Sequence, residues 1–482
     1  MTKRIILLLD GTWNDINVGP YDTNIVRMRE LISSHLVRAS NHGPQNHDPD
    51  AKKVRGYTVT GKEHIIYYER GVGTGAFDRF KGGAFGEGLT RNVRHAYRFL
   101  SFWYEPGDEI FIYGFSRGAY TARSLIGYMA SAGLLRQDAC SEELESLAWR
   151  YYRTATSERM PAVWRQLADY VHNRSETRVK LIGVFDTVGA LGIPLNFAWR
   201  LNRDEHGFHD VELSSITDVN LHALAIDEHR LPFEATLWRM PAFKKYDTAV
   251  EQVWFPGAHA DVGGGYIVEE SRDPDACYAD DVTLDWMIRR TKHFYPDFPF
   301  DIDHKAERTR ERESAALHNS RRGVYFALPL ALRSIANSKT RVNRWLYQRE
   351  VSRDRHAWPI GEMIHISALE RLLPEKSRSL PEKRYKAANL ANVKDWIKKT
   401  YEPKLDSEGE LALAREAGPR QRPFELPVVD WDGSRITCGC PRAEYLRQLL
   451  AREPKERRLG LGLSSLWQAV EAWRTTTPSA RL

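Results

Sequence analysis

Ser116 is the first residue whose surroundings point to a reaction. It lies in Gly114-Phe115-Ser116-Arg117-Gly118, after the apolar run Glu109–Tyr113 and before the helix-forming stretch Ala119–Ala132. A serine in G-x-S-x-G between a strand and a helix occupies a sharp turn, and the two glycines let the elements pass closely. The next amide, that of Arg117, then falls at a helix N-terminus, where free donors and the dipole favour an oxyanion. A serine nucleophile also needs a base and a group to orient that base. Asp186 follows the apolar run Val179–Phe185, and His259 stands in WFPGAHADVGGGY, residues 254–266, between Pro-Gly and three glycines. Ser116, Asp186 and His259 are therefore expected at three strand ends on one edge of a sheet.

The same residues admit other readings. Asp186 could cap a helix, His259 could be a loop histidine, and Asp261 could replace Asp186. His222, Asp227 and His229 lie in LHALAIDEH, which reads as a helix face. A second oxyanion donor is expected from the turn Asp10-Gly11-Thr12-Trp13-Asn14, through the amide of Gly11 or Thr12. Asp10 could instead join Asp186 and Asp261 around a metal ion, giving a metal-dependent phosphohydrolase. A non-catalytic binding or delivery module on the same fold is a further alternative. The serine reading itself calls for no cofactor and no metal.

These residues need a sheet to hold them. Ile5–Leu9, Ile65–Tyr68, Glu109–Tyr113, Val179–Phe185 and Glu251–Phe255 read as strands, the first a continuous apolar run that ends in Asp-Gly. Leu89–Tyr104 has Val93, Ala96, Tyr97 and Leu100 at helical spacing. Strands alternating with helices predict a mostly parallel sheet with helices on both faces. Gly71–Gly88 holds seven glycines and reads as a loop at the mouth of the site. Its Phe77, Phe80 and Phe85 could touch an acyl chain or pack on the body. No phosphate-cradling motif is present in it.

The 482 residues are 42% hydrophobic and 28% charged, which excludes a disordered or fibrous chain. Residues 1–300 carry a net charge of −5 and residues 301–400 a net charge of +10. This shift predicts an α/β catalytic domain over 1–300 and a basic, mainly helical C-terminal extension or cap over 301–482. Arg321, Arg322, Arg333, Lys339, Arg341 and Arg344, with Trp345, could form a surface that docks on an anionic membrane. The net charge of +6 is too small to imply nucleic acid. Four cysteines exclude a disulfide scaffold, and Cys438-Gly-Cys440 has no partner motif for zinc. No run reaches the ~20 apolar residues of a membrane span. The short apolar run after Lys3-Arg4 stops at Asp10, so a cleaved signal peptide is not expected. The chain is expected in the cytoplasm of the producing cell, with any export by a route needing no cleaved signal.

Four segments together, LLLDGTWND, GFSRGAYTARSLIGYMASAGLL, GVFDTVGALG and WFPGAHADVGGGY, resemble a family of α/β-hydrolases. That family includes the first class of type VI secretion phospholipase effectors. The motifs span residues 7–266. The resemblance implies an α/β-hydrolase-like fold and esterase or phospholipase A activity, with Ser116 as nucleophile, Asp186 as acid and His259 as base. As partners it implies a lipid or small ester substrate, and a secretion apparatus or immunity protein. Delivery to a target-cell periplasm or membrane would follow.

Overall fold

The computed structural model describes residues 2–11, 23–39, 53–58, 61–71, 82–188, 213–230, 233–239, 248–265, 278–301, 315–321, 331–336, 341–342, 347–348, 359–372, 385, 387–391, 393–401 and 426–452. The strands are β1 (Arg4–Leu9), β2 (Lys53–Tyr57), β3 (Glu63–Glu69), β4 (Glu109–Phe115), β5 (Val179–Phe185), β6 (Thr217–Ala225), β7 (Ala249–Phe255), β8 (Arg341–Val342), β9 (Tyr347–Gln348), β10 (Glu362–His365) and β11 (Val428–Val429). The helices are α1 (Asn24–Ala39), α2 (Gly82–Trp103), α3 (Arg117–Ala132), α4 (Glu142–Arg153), α5 (Pro161–Ala168), α6 (His259–Gly263), α7 (Ala279–Phe294), α8 (Ile366–Glu370), α9 (Ala388–Ala391), α10 (Lys394–Tyr401) and α11 (Pro441–Arg452).

Nine strands form one sheet in the order β11-β10-β7-β6-β5-β4-β1-β3-β2, while β8 and β9 pair separately. Every neighbouring pair in the large sheet is parallel except β2 with β3. Parallel strands buried on both faces read as unbroken apolar runs, and all six residues of β1 are buried. Side chains alternate between faces. Ile6 and Leu8 pack with Ile25, Met28, Ile32 and Leu36 of α1 and with Trp286 and Met287 of α7. Ile5, Leu7 and Leu9 pack on the opposite face with Val93, Ala96, Tyr97 and Leu100 of α2 and Leu125, Ile126 and Met129 of α3. The fold is α/β, with helices on both sides of a mostly parallel sheet.

The sheet and its core cross residue 300. A third apolar cluster joins Leu224, Ile226 and Trp254 to Ile364, Val428, Ile397 and Leu446.

Two expectations change. LHALAIDEH is not a helix face, since its first five residues complete β6. Asp218, Asn220 and His222 alternate there with Val219, Leu221 and Ala223, and the apolar set faces the first cluster. The helix after the glycine-rich stretch begins at Gly82, not Leu89. Packing of its later turns outweighs the cost of roughly 1 kcal/mol that a glycine brings to a helix. Phe77 and Phe80, and the side chain of Phe85, lie outside the described residues.

Connectivity fixes where a site can form. The chain adds β3 on one side of β1, then returns to add β4 on the other. The connections leaving β1 and β4 therefore diverge, and a crevice opens at the carboxyl ends of these two strands.

Candidate active site

Ser116 joins β4 to α3 at that crevice, with φ 55° and ψ −117°. A positive φ on a residue with a side chain is strained, and it persists only where its surroundings dictate it. Here the glycines dictate it. A Cβ on Gly114 would lie 2.7 Å from Ala119 Cα and from Gly118 O. One on Gly118 would lie 2.6 Å from Asp10 O and closer still to Leu9 O. Without side chains at both positions, the first turn of α3 rests directly on the ends of β4 and β1. The Ser116 amide donates to Phe185 O at 3.1 Å, tying the turn to the end of β5.

The structure brings Ser116, His259 and Asp186 together. The distance from Ser116 Oγ to His259 Nε2 is 2.8 Å, and from His259 Nδ1 to Asp186 Oδ2 it is 2.6 Å. Asp186 directly follows β5, also at positive φ (40°), and its amide donates to Ala223 O of β6 at 2.7 Å. His259 opens the short helix α6 just beyond β7. Gly257, at φ 115°, turns the chain there, and its amide donates to Asp227 Oδ2 at 2.7 Å. The imidazole is held between two rings, Phe115 at 4.7 Å and Phe233 at 5.1 Å between centroids. The His259 amide reaches Glu228 Oε2 at 3.3 Å, and that carboxylate is bridged to Arg230.

Asp186 is completely buried. Burial alone would push its carboxyl up, but the Arg333 guanidinium and the hydrogen bond from His259 outweigh it and hold the group well below the usual carboxylate range. Arg333 forks onto the carboxylate. Nη2 donates to Oδ2 at 2.9 Å and Nη1 to Oδ1, while the Ala225 amide donates to Oδ1 at 3.0 Å. Only 4% of Arg333 is exposed. The reading that places Arg333 on a membrane-docking surface is thus corrected, because the side chain points inward onto Asp186. Of its companions, Arg322, Lys339, Arg344 and Trp345, and the side chain of Arg341, lie outside the described residues.

The remaining candidates are placed separately. Asp10 is buried at the end of β1, where Oδ1 accepts from the Gly11 amide (2.7 Å), Oδ2 accepts from Tyr68 Oη (2.9 Å), and Thr23 Oγ1 donates to both. Burial raises its carboxyl to about 6 against the pull of those hydrogen bonds. The Gly11 amide is therefore engaged by Asp10. A Cβ on Gly11 would lie 3.3 Å from Ser116 Cβ and 3.2 Å from Phe115 Cδ1, so this position leaves little room for a side chain. Arg117 opens α3, and burial lowers its guanidinium to about 10. Thr12 lies outside the described residues. Asp261 binds the amides of Ala258 (2.8 Å) and His318 (2.9 Å), and its Oδ1 meets His318 Nδ1 at 2.6 Å. Asp10, Asp186 and Asp261 thus have separate partners. No group of three His, Cys, Asp or Glu side chains among the described residues is placed to hold a metal ion. His222 lies behind the site, with Nε2 accepting from the Thr187 amide at 3.1 Å and Nδ1 3.3 Å from Gln252 Oε1.

A family model described as "T6SS, Phospholipase effector Tle1-like, catalytic domain" matches residues 3–290. The chain belongs to this family. An uncharacterised protein of Saccharomyces cerevisiae, YEL023C, is 27% identical to it over 254 residues, 48% of this chain and 32% of that protein. A crystal structure of an uncharacterised Pseudomonas aeruginosa protein is similar over 64% of this chain and 49% of its own, at 16% identity and a TM-score of 0.35. The structure of the Tle1 effector bound to the VgrG spike of the type 6 secretion system is similar over 56% of this chain and 52% of its own, at 18% identity and a TM-score of 0.29. The chain spans about a third of the yeast relative and about half of each of these solved chains. Among the described residues, no helix is long and apolar enough to cross a membrane.

Proposed function

We propose that this Tle1-like chain is a serine hydrolase that cleaves carboxylic esters of lipids, in the manner of a phospholipase A or lipase. The observation that carries the reading is the continuous relay from Ser116 Oγ through His259 to Asp186, at 2.8 and 2.6 Å, just beyond the ends of β4, β7 and β5. His259 Nε2 takes the proton of Ser116, and Oγ attacks the ester carbonyl. Asp186 holds the His259 tautomer and stabilises the imidazolium. The Arg117 amide, at the start of α3, faces the developing oxyanion. The second donor is assigned to the amide of Gly11 or Thr12; the Gly11 amide itself donates to Asp10 Oδ1 at 2.7 Å. His259 then protonates the leaving alcohol, and water releases the acyl group from Ser116.

By family, the substrate is a membrane lipid, and the proposed partners are a secretion apparatus and an immunity protein, with delivery to a target-cell periplasm or membrane. The test is hydrolysis of phospholipid vesicles and of a short-chain nitrophenyl ester by wild type and Ser116→Ala. Loss of both activities in the variant supports the reading. Vesicle hydrolysis retained by Ser116→Ala overturns it.

A further inference from the structure

The relay is contacted by a residue outside the stretch that matches the family's catalytic domain. The matched stretch ends at residue 290. Arg333 comes from the segment 331–336, which is stitched to the loop after β6. The Ala331 amide donates to His229 O at 3.0 Å, and Asn389 Nδ2 bridges Ile226 O (3.0 Å) and Arg333 O (3.4 Å). Beyond its fork on Asp186, Arg333 donates to two carbonyls, Ala225 O at 2.9 Å and Phe233 O at 2.6 Å. One guanidinium thus holds the acid of the relay, the end of β6, and the residue whose ring packs on His259.

We propose that Arg333 is a positioning residue for the reaction, acting through Asp186: its planar fork fixes the buried carboxylate against His259 and supplies its countercharge. This rests on the serine-hydrolase reading above. A lone aspartate buried in this way would tend to protonate or rotate. A guanidinium binding both oxygens allows one orientation, with Oδ2 toward His259 Nδ1. Among the described residues, the other charged or titratable groups around the pair are Glu228 with Arg230, at the His259 amide, His222 behind Thr187, and His229, which lies near Glu228 and Arg333. None of them donates a hydrogen bond to the carboxylate, which accepts from the Ala225 amide, His259 and Arg333.

The role predicts a pH signature that a structural arginine would not give. Without the guanidinium, Asp186 ionises at higher pH, which moves the acid limb of the rate upward. Lysine keeps the charge but cannot bridge two oxygens.

The experiment uses the full chain as wild type, Arg333→Met, Arg333→Lys, Asp186→Asn, the double variant Asp186→Asn/Arg333→Met, and Ser116→Ala. The rate of fluorophosphonate labelling is measured against pH and expressed per serine that finally labels, so unfolded protein does not count. Arg333→Met is expected to label at least about tenfold more slowly, since misplacing a catalytic group by an ångström costs on the order of a hundredfold. Its acid limb should rise by about one pH unit, a tenfold change in proton affinity. Arg333→Lys should slow labelling without moving the limb. Adding Arg333→Met to Asp186→Asn should change little, because the fork then has no carboxylate to hold. Wild-type rate and limb in either single variant that labels would overturn the proposal. So would a further tenfold fall in the double variant, which also decides the matter if neither single variant folds. Equal labelling of wild type and Ser116→Ala would instead overturn the serine reading itself.

Discussion

Gly114→Ala puts the serine turn to a quantitative test. The added Cβ would lie 2.7 Å from Ala119 Cα, Ala119 N and Gly118 O, all of them backbone. Ordinary contacts between carbon atoms are about 3.5–4.0 Å, so the first turn of α3 must retreat by about 1 Å. Overpacking of this kind costs about 1–3 kcal/mol. The same retreat carries Ser116 and the Arg117 amide away from His259, whose Nε2 stands 2.8 Å from Ser116 Oγ. A displacement of about 1 Å at a reacting group costs on the order of a hundredfold in rate. Gly439→Ala is the control, because among the described residues a Cβ there meets no atom within 4 Å beyond its chain neighbours. The assay is ester hydrolysis per fluorophosphonate-titrated serine, with melting temperature measured alongside. Gly114→Ala is expected to lose about a hundredfold in turnover and melt earlier, while Gly439→Ala matches wild type. If both variants match wild type, close packing does not set the serine's geometry.

Three further outcomes follow from the same contacts. Asp186→Asn leaves the Arg333 guanidinium buried without its anion; denaturant unfolding should show a loss of about 3–5 kcal/mol, and a loss under 1 kcal/mol would contradict the pairing. Gly263→Ala drives a methyl group into the Phe115 ring that packs on His259; activity per titrated serine should fall while vesicle binding, measured by sedimentation, stays. Asp10 has its carboxyl raised from 3.8 to about 6 by burial, so between those values the folded chain binds a proton that the unfolded chain releases, and acidification stabilises it by up to about 3 kcal/mol. Relative to Asp10→Asn, wild type should therefore gain stability as pH falls from 7 to 4.5, and a flat or opposite trend in melting temperature would refute this.

The sequence is most informative where one local rule decides the structure. The apolar runs of β1, β4 and β5 carry their charged residues, Arg4, Glu109 and Lys180, only at or next to the strand starts. Of the two clashes that set the G-x-S-x-G turn, the one at Gly114 is with Gly118 and Ala119, a few residues along the chain. β6 was legible in principle: the alternation from Asp218 to Ala223 is a strand pattern, masked because Asn220 and His222 are polar and buried. Their partners, Thr248, Thr187 and Gln252, lie on other elements. Arg333 lay beyond any local reading. In the sequence it is one basic residue among several after position 300, and only the return of segment 331–336 to the end of β6 brings it onto Asp186. The short strands β10 and β11 carry too few residues for a periodic signal; β10 is a strand because β7 offers an edge on which to pair, and β11 because β10 then offers the next.

The central claim is that Ser116 is the nucleophile of an ester hydrolase. The most direct measurement is mass-spectrometric mapping of the adduct after wild type is treated with a fluorophosphonate, with vesicle hydrolysis followed in the same sample. The account predicts one adduct on Ser116, formed in step with the loss of hydrolysis and absent from His259→Ala under the same conditions. Undiminished hydrolysis with Ser116 fully modified, or loss of hydrolysis with the adduct on another residue, would contradict it.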